Sequence, residues 1–123
     1  MGAVRDFREL KVWEKAHALV LRTYQATQSF PQDERFGLTS QIRRACASVP
    51  TNLAEGCGRR TDKDLAHFCD IAMGSASESE YQLLLARDLG YIDSDEHREI
   101  EDRLLEVKRM LNSFTAAVRT RIQ

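Results

Sequence analysis

The chain has 123 residues, a formal charge of −1 at pH 7, and 42% hydrophobic against 30% charged residues, the balance of a single globular domain, residues 1–123, with one core. No apolar run approaches the roughly 20 residues needed to cross a membrane, and the early charges of MGAVRDFRELKVW exclude a secretory signal peptide. A soluble, cytoplasmic protein is expected, and although Met1-Gly2 opens like a myristoylation site, Asp6 stands where Ser or Thr is needed.

Apolar spacing is helical almost throughout. Leu10, Trp13, His17, Val20, Tyr24 and Thr27 recur at steps of three and four, which predicts a first helix with that stripe as its seam. Phe30-Pro31 should end it, because proline disfavours helical geometry in the residue before it. A second helix is predicted from about Gly37 to Glu55, with Leu38, Ile42, Ala45, Val49 and Leu53 inward. Pro50 removes one backbone donor and predicts a kink or break there. Cys57 then falls in the turn that follows.

Thr61, with an acidic residue three positions on at Asp64, reads as the N-cap of a third helix reaching about Leu89. Gly90 suits the left-handed residue after its end. Within this helix the run Ala72-Met73-Gly74-Ser75-Ala76-Ser77 is small enough for close helix approach, and Gly74 and Ser75 are expected at a packing contact or subunit interface. Asp93 to Glu96 caps a fourth helix, with His97, Ile100, Leu104, Val107, Leu111, Phe114 and Val118 as its seam. Connections this short predict an all-α fold, an antiparallel up-down-up-down four-helix bundle.

Several chemistries are disfavoured by what accompanies their residues. Cys46, Cys57 and Cys69 are eleven and twelve apart, which fits no metal or redox spacing. They read as buried thiols, with Cys57 the one candidate for a reactive, exposed group. Glu14-x-x-His17 and Asp64-x-x-His67 suggest a di-metal bundle, with Glu55 at the same end. The matching part of the fourth helix, Leu111 to Ile122, holds no carboxylate, so no metal or other cofactor is expected. Ser48, Ser75, Ser77 and Ser79 lack convergent bases, and Gly56-x-Gly58 lacks the GK[ST] of a phosphate loop. No catalytic residue is assigned, and the chain is not expected to be an enzyme.

The arginines remain. In the predicted bundle Arg5, Arg8, Lys11, Arg59, Arg60, Lys63, Arg119 and Arg121 gather at the end holding both termini. Asp33, Glu34, Asp88, Asp93, Asp95, Glu96 and Glu99 gather at the other. A basic rim of this kind suits phosphates, with the free amides at the start of the third helix beside it. Against that stands the ordinary reading, that these arginines pair with Glu55, Asp62 and Asp64 on a solvated surface. Arg43 and Arg44, in mid-helix, are expected at a subunit interface.

Longer motifs point to a family. ERFGLTSQIRRACASVPTNLAEGCGR (Glu34 to Arg59), IAMGSASESEYQL (Ile71 to Leu83), FRELKVWEKAHALV (Phe7 to Val20) and GYI (Gly90 to Ile92) resemble the four-helix-bundle 23S rRNA intervening-sequence proteins. The resemblance covers essentially the whole chain. It implies a bacterial protein encoded by an open reading frame of a kind sometimes found inside large-subunit rRNA genes, and a homopentameric ring. It brings no catalytic residues. A distant branch, the accessory proteins of diversity-generating retroelements, binds nucleic acid and a reverse transcriptase, but is strongly basic; a pI near 6.3 argues against that branch. Relatives often carry an aromatic where Cys57 stands. Two readings stay open: an oligomeric module contacting RNA through its basic end, and a structural oligomeric adaptor for a protein partner without nucleic-acid binding. A membrane partner is not expected.

Overall fold

The computed structural model of the protein describes residues 6–122. Among them are four α-helices and no strand: α1 (Lys11–Thr27), α2 (Leu38–Cys57), α3 (Asp62–Asp88) and α4 (Ser94–Thr120). Single 3₁₀ turns at Phe7–Glu9 and Gln32–Glu34 precede α1 and α2. The expected all-α class is thus met. α1 packs against α2 and α4, and α3 against α2 and α4.

Local signals set most boundaries. The Thr61 hydroxyl accepts from Asp64 N at 3.1 Å and opens α3, and Asp93 accepts from Glu96 N at 2.7 Å and opens α4. Gly90 has φ 80°; Tyr91 N donates to Ala86 O and Gly90 N to Arg87 O, each at 2.9 Å. That pattern is the Schellman closure of α3, and it needs the left-handed residue. α2 has no capping side chain at Gly37, so Glu34 serves instead. Its Oε1 accepts from Leu38 N at 3.0 Å and its Oε2 from the Tyr91 hydroxyl at 2.7 Å. These two bonds hold its carboxyl below the usual glutamate range.

α1 ends at Thr27, before the predicted stop at Phe30. Side chains satisfy its last carbonyls early. The Thr27 hydroxyl donates to Thr23 O at 2.9 Å, Ser29 donates to Ala26 O at 3.2 Å, and Arg43 from α2 donates to Tyr24 O at 3.3 Å. α2 continues two residues beyond its predicted end and runs through Pro50 without the break that proline suggested. Proline within a helix costs ~3 kcal/mol. Val49 and Leu53, fully buried beside it, offset that at ~1.5–3 kcal/mol each.

The core runs through Leu19, Ile42, Leu53, Leu65, Ile100, Leu104 and Leu111. The inward positions expected of α2 are all buried, and α4 departs only in burying Thr115 where Phe114 is half exposed. The seam of α1 is displaced by one residue. Val12, Ala16, Leu19, Thr23 and Ala26 face the core; of the expected stripe Leu10 and Thr27 are buried, Trp13 and Val20 pack partly buried against the core, and His17 and Tyr24 are exposed. The two stripes share one period and differ only in phase, and small Ala16 and Ala26 allow α2 and α4 close to α1.

Close approach between α2 and α3 occurs at Gly56. A Cβ there would lie 2.9 Å from Leu65 Cδ1 and 3.0 Å from Phe68 Cβ. Of the two places expected for Gly74, a packing contact within the chain is not found: it is exposed, and an added Cβ meets nothing within 4 Å. Ser75, its neighbour, donates to the Ser48 hydroxyl at 2.8 Å across the same helix pair. Cys57 is also corrected, since it is the last residue of α2 and 2% exposed.

Candidate nucleic-acid interface

The start of α1, the end of α2, the start of α3 and the end of α4 meet in contacts between side chains. Phe7 and Trp13 line a recess with Pro50 and Ala54, Gly56 lies on Leu65 and Phe68, and Arg121 reaches Asp62. Seven of the eight cations expected at this end are therefore near it; Arg5 lies outside the described residues.

Most of their charge is already answered. Arg8 pairs with Asp6 at 3.2 Å and covers the Phe7 ring. Arg59 pairs with Glu55 at 3.4 Å and lies 4.9 Å from the Phe68 ring centre. Arg121 donates through Nε and a terminal nitrogen to both oxygens of Asp62, each at 3.2 Å. Arg119 donates to Asp70. The bonds to Asp70 and Asp62 raise both guanidinium pKa values above the ordinary range. Lys11, Arg60 and Lys63 are exposed, with no ion pair among the described residues. Charge here is dense rather than strongly basic, and the cations left over cluster around the Gly58–Thr61 turn and the first turn of α1.

Arg43 and Arg44, expected at an interface, lie at a different corner. Arg43 Nε donates to the Thr27 hydroxyl at 2.8 Å, and its guanidinium sits 4.6 Å from the Tyr24 ring centre. Arg44 is exposed beside Phe36, which is itself 88% exposed. Neither arginine has a carboxylate partner among the described residues. The sequence does place Phe36 in a polar loop between Arg35 and Gly37, the one signal by which this corner could have been found.

The residues considered for catalysis or metal binding have other surroundings. The His17 ring stacks on Trp13 with centres 5.0 Å apart, and His67 meets Phe68 edge-on. No group of three or more His, Cys, Asp or Glu among the described residues is placed to hold a metal ion. All three cysteines are buried. Burial pushes the Cys46 thiol up to about 11 despite its bond to the Thr23 hydroxyl, and burial also raises Cys69. Thiolates are therefore scarce at neutral pH. No helix among the described residues is long and apolar enough to cross a membrane.

A family model described as 23S rRNA-intervening sequence protein matches residues 8–113. Among solved structures, the chain is similar to the crystal structure of a protein with unknown function from the S23 ribosomal protein family from Bacteroides thetaiotaomicron. The two are 24% identical with a TM-score of 0.76, over 85% of this chain and 97% of that one. That likeness speaks for the fold alone. No curated protein matches the chain.

Proposed function

Because the chain belongs to the 23S rRNA-intervening sequence protein family, we propose that it is a non-enzymatic, oligomeric helix-bundle module that contacts RNA at its α2–α3 end. The bundle is read as antiparallel and up-down-up-down. In support, Arg22 of α1 meets Glu96 and Glu99 of α4 while Lys15 meets Glu106, and Lys108 of α4 meets Glu80 of α3 while Arg119 meets Asp70. Identical subunits of this kind form a ring, a pentamer by resemblance, with the α2–α3 turns on one rim.

The observation that carries the RNA reading is the trio of exposed, carboxylate-free cations Lys11, Arg60 and Lys63. Affinity from such groups is sequence-independent and arises from neutralising phosphates. A second reading, a structural adaptor for a protein partner, is favoured by the internal pairing of Arg59, Arg119 and Arg121. A labelled large-subunit rRNA hairpin, titrated by anisotropy at two salt concentrations, separates them. Binding that weakens with salt and falls several-fold in Arg60→Ala/Lys63→Ala, at unchanged oligomeric mass, supports RNA contact. Indifference of the parent protein to RNA at low salt leaves the adaptor.

A further inference from the structure

The corner where α1 ends and α2 begins combines features that the rest of the surface does not. Two adjoining recesses share Arg35, Thr39 and Arg43; one is lined further by Tyr24, Phe36 and Arg44, the other by Phe30 and Gln32. Phe36 is 88% exposed and Tyr24 41% exposed, so two aromatic faces stand in water. An 88% exposed phenylalanine contributes little to the fold, and the Arg35 guanidinium lies over this one, 5.4 Å from its ring centre.

The arginines around these rings are unpaired, although exposed Asp33 lies in the turn between the recess-lining Gln32 and Arg35. Arg35, Arg43 and Arg44 make no ion pair among the described residues, unlike Arg59, Arg119 and Arg121 at the α2–α3 end. Glu34 is turned away to Leu38 N and the Tyr91 hydroxyl. Glu78 lines the neighbouring recess with Phe36 and Arg44 but accepts from Gln82. Arg43 is fixed by its bonds to Thr27 and Tyr24 O, so part of the positive charge is held in place before any ligand arrives. The Thr39 hydroxyl, buried between the recesses, has no hydrogen-bond partner among the described residues. A buried hydroxyl without a partner is costly to keep, and rotation about its Cα–Cβ bond offers it to an oxygen ligand.

We propose that this corner binds single-stranded nucleic acid, with a base stacked on Phe36 and adjacent phosphates held by Arg35, Arg44 and the fixed guanidinium of Arg43. Flat apolar rings interleaved with unpaired arginines are what a single strand requires, since every base has a face to stack and every linkage a phosphate to neutralise. A protein partner would leave three guanidinium groups to desolvate without a stated counter-charge. The site is separate from the rim proposed above and does not depend on it.

The test uses the full chain and short single strands carrying 2-aminopurine, one of RNA and one of DNA, with fluorescence reporting stacking and anisotropy reporting affinity. Phe36→Ala removes a ring that supports no packing, so the fold is retained. We expect its binding to be about tenfold weaker, with the quenching of 2-aminopurine lost and Phe36→Trp restoring both. Arg44→Ala should reduce the slope of affinity against salt by about one. Binding of either strand, sensitive to Phe36, supports the site, and the ratio of the two identifies the source. Absence of binding by the parent chain overturns it. So does a Phe36→Ala variant that binds like the parent, or one that loses oligomeric mass while binding is untouched. Arg60→Ala/Lys63→Ala in the same assay reports on the rim alone.

Discussion

The α2–α3 end and the α1–α2 corner both carry arginines beside aromatic rings, yet they use them differently. At the end, Arg59 lies over Phe68 while held by Glu55, and Arg119 and Arg121 are held by Asp70 and Asp62 of α3. There the charge ties one helix to another. At the corner, Arg35 and Arg43 lie over Phe36 and Tyr24 and make no ion pair among the described residues, and the rings themselves face water. The same residue types thus serve cohesion in one place and stand available in the other. What decides between them is whether an acid is placed to pair, Glu55 one turn back for Arg59 and an α3 aspartate for Arg119 and Arg121.

The contrast extends to packing, and Gly56 is where it is most easily broken. Gly56→Ala drives a methyl to within 3.0 Å of Phe68 Cβ and Leu65 Cδ1. It should lower unfolding free energy by about 1–3 kcal/mol, measured by urea denaturation. No loss would mean the end is loosely closed and its arginines are free to be recruited. The opposite substitution lies next to the Ser48–Ser75 contact. Gly74→Ala adds helix propensity where nothing is crowded and should raise stability by ~0.5–1 kcal/mol. A fall in oligomeric mass instead would assign that face to a subunit contact.

The corner has its own, smaller signature in acid. Glu34, whose carboxyl is lowered by Leu38 N and the Tyr91 hydroxyl, titrates below its unfolded value. A lowered folded pKa contributes stability that is present above the ordinary carboxylate range and lost as pH falls below about 4.5. Denaturation midpoints should therefore decline on acidification into that range, and Glu34→Gln should flatten the decline. An unchanged pH profile in Glu34→Gln would detach the start of α2 from the α3–α4 connection.

How much of this was legible follows the distance over which each signal acts. Thr61, Gly90 and Asp93 were readable because a cap involves residues three to five apart and needs no partner helix. The seams of α2 and α4 were readable for the same reason. The seam of α1 was displaced because heavy Trp13 and Tyr24 outweigh Ala16 and Ala26 in any apolar pattern, while the packing of three helices prefers the small side. Gly56 and Gly74 look alike in sequence, and only the position of Leu65 and Phe68 distinguishes them. At the basic end Glu55 and Asp62 were legible as partners, whereas Asp70, 49 residues from Arg119, was not, because that pairing depends on how α3 and α4 lie together. Phe36 passed unnoticed because a single aromatic in a loop carries no periodicity.

The short turns around Gly58–Arg60 and Gly90–Tyr91 also bear on how quickly the chain reaches its shape. α2 and α3 can pair after closing only a few residues of loop, and α3 and α4 likewise. Loop-closure entropy is small for such neighbours, and helical chains dominated by local contacts fold in microseconds to milliseconds.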